Sequence, residues 1–158
     1  MNEEKKLIKV FFQNGENFTS SRIRPTIGIV GLYFIFNESI KIRYPYGSSK
    51  LIYIGMSERK TNSMGKRLQG HHDGTSGNVG IVNYRQANRL LFTYINYSML
   101  APNWPLGIEP LESYFISSFV ERYGVYPICN NKSGTDLTLK NAKAELEIDW
   151  EFFENERN

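Results

Sequence analysis

The chain has 158 residues, of which 41% are apolar, 14% aromatic and 22% charged, and its 19 basic and 16 acidic side chains leave a formal net charge of +3. A chain of this size buries roughly 70% of its unfolded surface, so one core can form without disulfides or a structural metal. The single cysteine, Cys129, excludes an intrachain disulfide and a cysteine-rich zinc module, and no run of about 18 apolar residues is present to span a bilayer.

Near the N-terminus, Leu7 to Phe12 is a short apolar stretch broken by Lys9 and followed by no small-residue cleavage site. No export signal is expected, and the default address is the cytoplasm. The stretch reads as a short strand or an ordered arm. Asn14-Gly15 then marks a turn and Ser20 to Pro25 a loop, so residues 1–26 form an arm ahead of a core at about 27–131. Ile27 to Phe36 is almost wholly apolar, β-branched or aromatic and predicts a central strand, ended by the turn residues Asn37-Glu38-Ser39. Ile40 to Tyr44 alternates like an edge strand, Pro45 to Ser49 reads as a loop, and Leu51 to Gly55 returns as a second buried strand.

In the polar segment that follows, Met64, Arg67 and Leu68 recur at helical spacing and predict a short helix near Ser63 to Gly70. A Gly- and Asn-rich stretch leads to Asn88, Arg89 to Tyr97 reads as a third strand, and Ala101 to Gly107 as a loop. Pro110, at the favoured first position, opens a helix with an apolar ridge of Leu111, Phe115 and Phe119, widened by Ile116, Val120 and Tyr123 and stopped by Gly124. Residues 132–158 form an acidic tail. There Ala142, Ala144, Leu146, Ile148 and Trp150 alternate with Lys143, Glu145, Glu147 and Asp149, which is strand periodicity written in helix-forming residues, so both states stay open. The expected architecture is a single α/β (α+β) domain with a small three-stranded mixed or antiparallel sheet, near 27–36, 50–55 and 89–97, flanked by short helices.

Charge is unevenly spread. Residues 1 to 89 hold 14 Lys/Arg against 6 Asp/Glu, whereas residues 90 to 158 hold 5 against 10. The basic half suits an anionic partner, although a solvated face explains the same asymmetry.

Gly31-Leu32-Tyr33 and Tyr53-Ile54-Gly55 place a tyrosine beside a glycine on two strands. Arg67 and His71 stand one helical turn apart, Glu112 lies in the first turn of the later helix, and Asn130 follows Pro127 after it. In this order the set resembles the GIY-YIG nuclease family, with Leu32 in place of the usual Ile and a twenty-residue step from Tyr33 to Tyr53, which an inserted Ile40 to Ser49 hairpin or loop would lengthen. The resemblance implies a divalent-metal-dependent DNA endonuclease that hydrolyses phosphodiesters. It assigns catalysis to Tyr33, Tyr53, Arg67, His71, Glu112 and Asn130, with Glu112 as metal ligand, Tyr33 activating water with help from His71, Tyr53 supporting the water or phosphate, and Asn130 fixing the site by hydrogen bonds. Either Tyr33 itself or a His-assisted relay is the base. His71 is preferred to its neighbour His72 for its spacing from Arg67.

The residue types suit that chemistry. Mg²⁺ (or Mn²⁺) keeps several waters and takes only one or two carboxylates plus phosphate oxygens, so Glu112 can suffice. Arg67 offers a permanently charged planar fork to a phosphate. Tyrosine, with an ordinary pKa of about 10, needs nearby cations or a relay to act as a base near neutrality. Read without the motif, Tyr33 and Tyr53 are core tyrosines with satisfied hydroxyls, Gly31 and Gly55 close-packing positions, and Glu112 a first-turn carboxylate favoured by the helix dipole. Cys129 reads as a small buried residue, not a nucleophile.

Arg22, Arg24, Lys41, Arg43, Lys60, Lys66 and Arg85, with Lys50, Arg59 and Arg89, flank these positions and are candidates for a phosphate track on double-stranded or branched DNA. About 28 residues follow Asn130, too few for a separate DNA-binding module, so a stand-alone restriction-type enzyme is expected. A palindromic site would call for a homodimer on DNA. The alternatives are a structure-selective nuclease, action on RNA, or a non-catalytic nucleic-acid-binding or protein-interaction domain of the same fold.

Overall fold

A computed structural model describes residues 6–130 and 144–155. The strands are β1 (Lys6–Val10), β2 (Glu16–Asn17), β3 (Gly31–Asn37), β4 (Ile42–Tyr44), β5 (Gly47–Ser49), β6 (Leu51–Ser57), β7 (Leu90–Asn96) and β8 (Ala144–Ile148). The α-helices are α1 (Ser20–Ile23), α2 (Met64–Asp73), α3 (Val79–Ala87), α4 (Tyr97–Leu100) and α5 (Ile108–Tyr123). The result is a mixed α/β fold with several short helices and both parallel and antiparallel pairings. No helix among the described residues is long and apolar enough to cross a membrane.

The three expected strands pair antiparallel in the order β7-β3-β6, and the two-residue β2 adds to β7, so the central sheet has four strands instead of three. All seven residues of β3 are buried. A strand covered on both faces has no solvent side to mark with polar residues, hence the continuous apolar run. Leu32, Phe34 and Phe36 join the core that includes Leu111, Phe115 and Phe119 of α5, while Tyr33 and Ile35 join the one that includes Ile23, Met64, Leu68 and Ile81. The sheet thus separates two layers of helix.

Several boundaries differ from expectation. Residues 42–49 form a separate β4–β5 hairpin and not an edge of the main sheet; Tyr44 packs edge-on against Phe119 at 5.1 Å and its hydroxyl donates to Leu51 O at 2.7 Å. Helix α2 runs on to Asp73 and so includes both histidines. Pro110 is the third helical residue, still within the first turn, where its missing N–H costs nothing. The stretch before Asn88 contains α3, whose weak helix formers hid it; its start is set by Asn78, which accepts from Ile81 N at 3.1 Å.

The segments read as arm and tail belong to the core. Strand β8 pairs in parallel with β1, resolving the alternation in favour of a strand, and the turn of 3₁₀ helix Trp150–Phe153 buries Trp150, Phe152 and Phe153. Residues 132–143 and 156–158 of the expected tail lie outside the described residues. Phe153 sits 4.8 Å from Phe12 and 5.1 Å from Phe36, centroid to centroid, and is fully buried. Phe153→Ala is expected to cost about 3–5 kcal/mol of stability, read as a lower denaturant midpoint with an unchanged slope.

Candidate active site

The antiparallel register sets Tyr33 opposite Gly55 on one side and Tyr94 on the other, with Tyr53 opposite Ile35. Directly paired residues share a face, so Tyr33 and Tyr53 stand together on the side of α2. Their rings stack at 6.1 Å and 25°. The two signature glycines answer to close approach. A Cβ on Gly55 would lie 2.3 Å from Tyr33 Cζ, and one on Gly31 would lie 2.0 Å from Ile95 O. Tyr33 therefore lies over a floor that only glycine leaves free. Gly55→Ala is expected to cost about 1–3 kcal/mol and to push the Tyr33 ring off its partners, measurable as a lower denaturant midpoint and a shifted tyrosine ring resonance.

Helix α2 supplies the next layer. His71 is buried, its Nε2 lies 3.0 Å from Tyr33 Oη and its Nδ1 lies 2.8 Å from Ser76 Oγ. The imidazole centroid is 4.8 Å from that of Tyr53. Burial, reinforced by the charge of Arg67, lowers the His71 pKa to about 4, so the ring is neutral at neutral pH. His72, the other candidate, instead pairs with Asp73 at 2.9 Å and packs on Phe18, away from the tyrosines.

Burial raises the pKa of Tyr33 well above its ordinary value; Tyr53 adds to the rise, and Arg67 opposes it. Burial likewise raises Tyr53, aided by Glu112. Arg67 is exposed and acts on Tyr33, Tyr53, His71 and Glu112 alike, which makes it the local source of positive charge. Glu112 comes from α5, on the opposite layer, and α5 packs against β6. Burial pushes its carboxyl up to about 7; Arg67 opposes the shift, and Glu109 and Glu58 add to it.

Asn130 acts on the backbone. Its Oδ1 accepts from Ile54 N at 3.0 Å and its Nδ2 donates to Ile54 O at 2.9 Å, so one side chain satisfies the outward-facing groups of β6 between Tyr53 and Gly55. Cys129 N extends this edge to Ile52 O at 2.8 Å. The Cys129 thiol is buried and pushed up to about 12, which leaves it without nucleophilic character.

Among the described residues no three His, Cys, Asp or Glu side chains converge on a metal-sized site. Glu112 is the carboxylate at this group, half-buried and without a hydrogen bond among the described residues. A half-buried carboxylate with no hydrogen bond among the described residues fits a hard cation that needs few protein ligands.

Of the basic candidates, Arg22 and Arg24 are exposed on α1 and the turn after it, and α1 packs on α2, with Gln69 bonded to Ser20. Lys60 and Lys66 are exposed, and Lys66 Nζ donates to Thr61 O at 2.9 Å. A cleft of about 250 Å³ lies next to Arg67, lined also by Glu58, Arg59, Thr61 and Asn62. Its loop is fixed by the buried Ser57, whose hydroxyl donates to Asn62 O at 2.8 Å. Lys41 and Arg43 are exposed at the β4–β5 hairpin, and Arg85 is half-buried on α3. Lys50 corrects the expectation: it is 2% exposed and its Nζ donates to Asn155 O, so it holds the C-terminal turn and is not open to phosphate. Arg89 is paired with Glu38 at 3.2 Å.

The chain matches no family model, no curated protein and no solved structure.

Proposed function

We propose that the chain is a divalent-metal-dependent DNA endonuclease of the GIY-YIG type that hydrolyses phosphodiester bonds. The observation that carries the reading is convergence: Tyr33 of β3, Tyr53 of β6, Arg67 and His71 of α2 and Glu112 of α5 interact as one group although they come from four elements. Structural tyrosines need satisfied hydroxyls. They do not need a neutral buried imidazole, an exposed arginine and a destabilised carboxylate around them, whereas phosphodiester hydrolysis uses each.

Burial bars Tyr33 from standing as a phenolate, so its role is that of a relay. The attacking water gives its proton to Tyr33 Oη as the Tyr33 proton passes to His71 Nε2, 3.0 Å away. No net charge then develops on the buried phenol, and the neutral imidazole receives the proton. Arg67 donates to the non-bridging phosphate oxygens and stabilises the charge gained by the pentavalent phosphorus. Glu112 would hold Mg²⁺ or Mn²⁺, which when bound supplies further positive charge to the phosphate and the departing oxygen. Asn130 keeps β6, and with it Tyr53 and the Gly55 floor, in register.

The exposed Arg22, Arg24, Lys60 and Lys66, together with the cleft between Arg59 and Arg67, would track the DNA backbone. Supercoiled plasmid and a panel of branched DNAs, each with Mg²⁺ or Mn²⁺, test the reading. Discrete plasmid fragments are expected, as from a restriction-type enzyme; cuts confined to branched substrates would reassign it as structure-selective, and tight binding without cutting under either metal would defeat the enzyme reading. Sedimentation with cognate DNA tests the homodimer: a monomer that breaks both strands in one encounter would sink it.

A further inference from the structure

The segment joining α2 to α3 returns a side chain to the active-site histidine. Helix α2 ends at Gly74, whose φ of +85° is open to glycine at little cost. Ser76 N then donates back to Gly70 O at 3.1 Å and Gly77 N to Gly74 O at 3.2 Å, which brings Ser76 Oγ to 2.8 Å from His71 Nδ1. The hydroxyl oxygen also accepts from Asn78 N at 3.3 Å. Asn78 is itself fixed, capping α3 through Ile81 N and donating to Cys129 O at 2.9 Å. Ser76 thus sits on a segment tied to both helices and to the turn at Cys129 that edges β6.

We infer that Ser76 is a positioning residue that sets the tautomer of His71, taking the ring hydrogen at Nδ1 so that Nε2 faces Tyr33 as an acceptor. The direction follows from the donors around the chain of bonds. Arg67 carries donors and no acceptor, so its charge near Tyr33 favours the orientation that turns an Oη lone pair toward it and leaves the phenol proton for Nε2, 3.0 Å away. A neutral imidazole that accepts at Nε2 must donate at Nδ1, and Ser76 Oγ is the atom placed to receive that hydrogen. The order is then Tyr33 to His71 and His71 to Ser76. The sequence gives no sign of it, since a serine in a Gly-rich stretch reads as a loop residue.

The tautomer is a property of the folded chain, whereas its effect on rate rests on the proposed nuclease reading. The test uses the full chain labelled with ¹⁵N-histidine, in which only two histidines contribute. Long-range ¹H–¹⁵N correlation is expected to show His71 with a pyrrole-type Nδ1 and a pyridine-type Nε2. In Ser76→Ala the signals should move toward a mixture of tautomers, and kcat for DNA cleavage should fall roughly 5- to 10-fold with KM unchanged. Ser76→Thr, which keeps the hydroxyl, should restore both. Thr75→Ala, on the same turn but off the ring, should alter neither.

An Nε2–H tautomer in the wild-type chain would overturn the inference, as would an unchanged His71 spectrum in Ser76→Ala or an equal loss in Thr75→Ala. Absence of cleavage by the wild-type protein would defeat the nuclease reading alone, because the spectra still decide what Ser76 does.

Discussion

Glu112→Gln is expected to abolish cleavage, by on the order of 10³-fold or more, while making the metal-free protein more stable at alkaline pH. The two effects have one cause. Burial raises the Glu112 pKa to about 7, so the ionised carboxylate that would bind a cation is the form the fold disfavours. Well below pH 4 the group is protonated in both folded and unfolded chains and contributes no difference. As pH climbs from about 4.5 to about 7, the unfolded chain releases the proton first, and Glu112 destabilises the fold increasingly across that window. Glutamine carries no such penalty. The Tm of the variant should therefore exceed that of the wild type at pH 8 in chelator, with the gap closing as pH falls below about 4.5. Added Mg²⁺ should raise the wild-type Tm and leave the variant unmoved. Equal stabilisation of both by Mg²⁺ would remove Glu112 from the metal site, and cleavage by the variant at the wild-type rate would remove it from the reaction.

What the sequence disclosed followed from burial on two faces. Strands β3 and β6 were legible because residues packed on both sides must be apolar throughout, and α5 because its ridge at i, i+4 and i+8 meets one layer only. The fourth strand was not legible, since β2 is two residues that pair only because β7 offers an edge. Nor was the fate of the acidic tail. Alternation at 142–150 fits a strand only when a partner exists, and that partner, β1, lies at the far end of the chain.

The site shows the same division. Spacing along one helix pointed to Arg67 and His71, but it could not disclose that His71 reaches Tyr33 while His72 turns to Asp73. The burial of Lys50 is not legible in the sequence, because lysines are rarely buried and nothing local marks the carbonyl that receives it. Asn130 was expected to fix the site by hydrogen bonds; the two it makes are both to the β6 backbone, a role that only the free edge of that strand creates.

Tyr33→Phe is expected to leave DNA binding intact and to reduce cleavage by about 10²- to 10⁴-fold, the range for loss of a positioned proton-transfer group. The phenyl ring still covers Gly55, so packing survives; the hydrogen bond to His71 does not, and about 1 kcal/mol of stability should go with it. His71→Gln should reduce cleavage comparably, since a protonated Tyr33 without an acceptor cannot take the proton of water. The proposed relay would pass one proton through both groups in series, so removing either should break the whole path. The double variant should then cut no more slowly than Tyr33→Phe alone, in single-turnover kinetics at saturating enzyme and Mg²⁺. Losses that multiply in the double variant would assign the two side chains independent duties, and the base would have to be sought at only one of them.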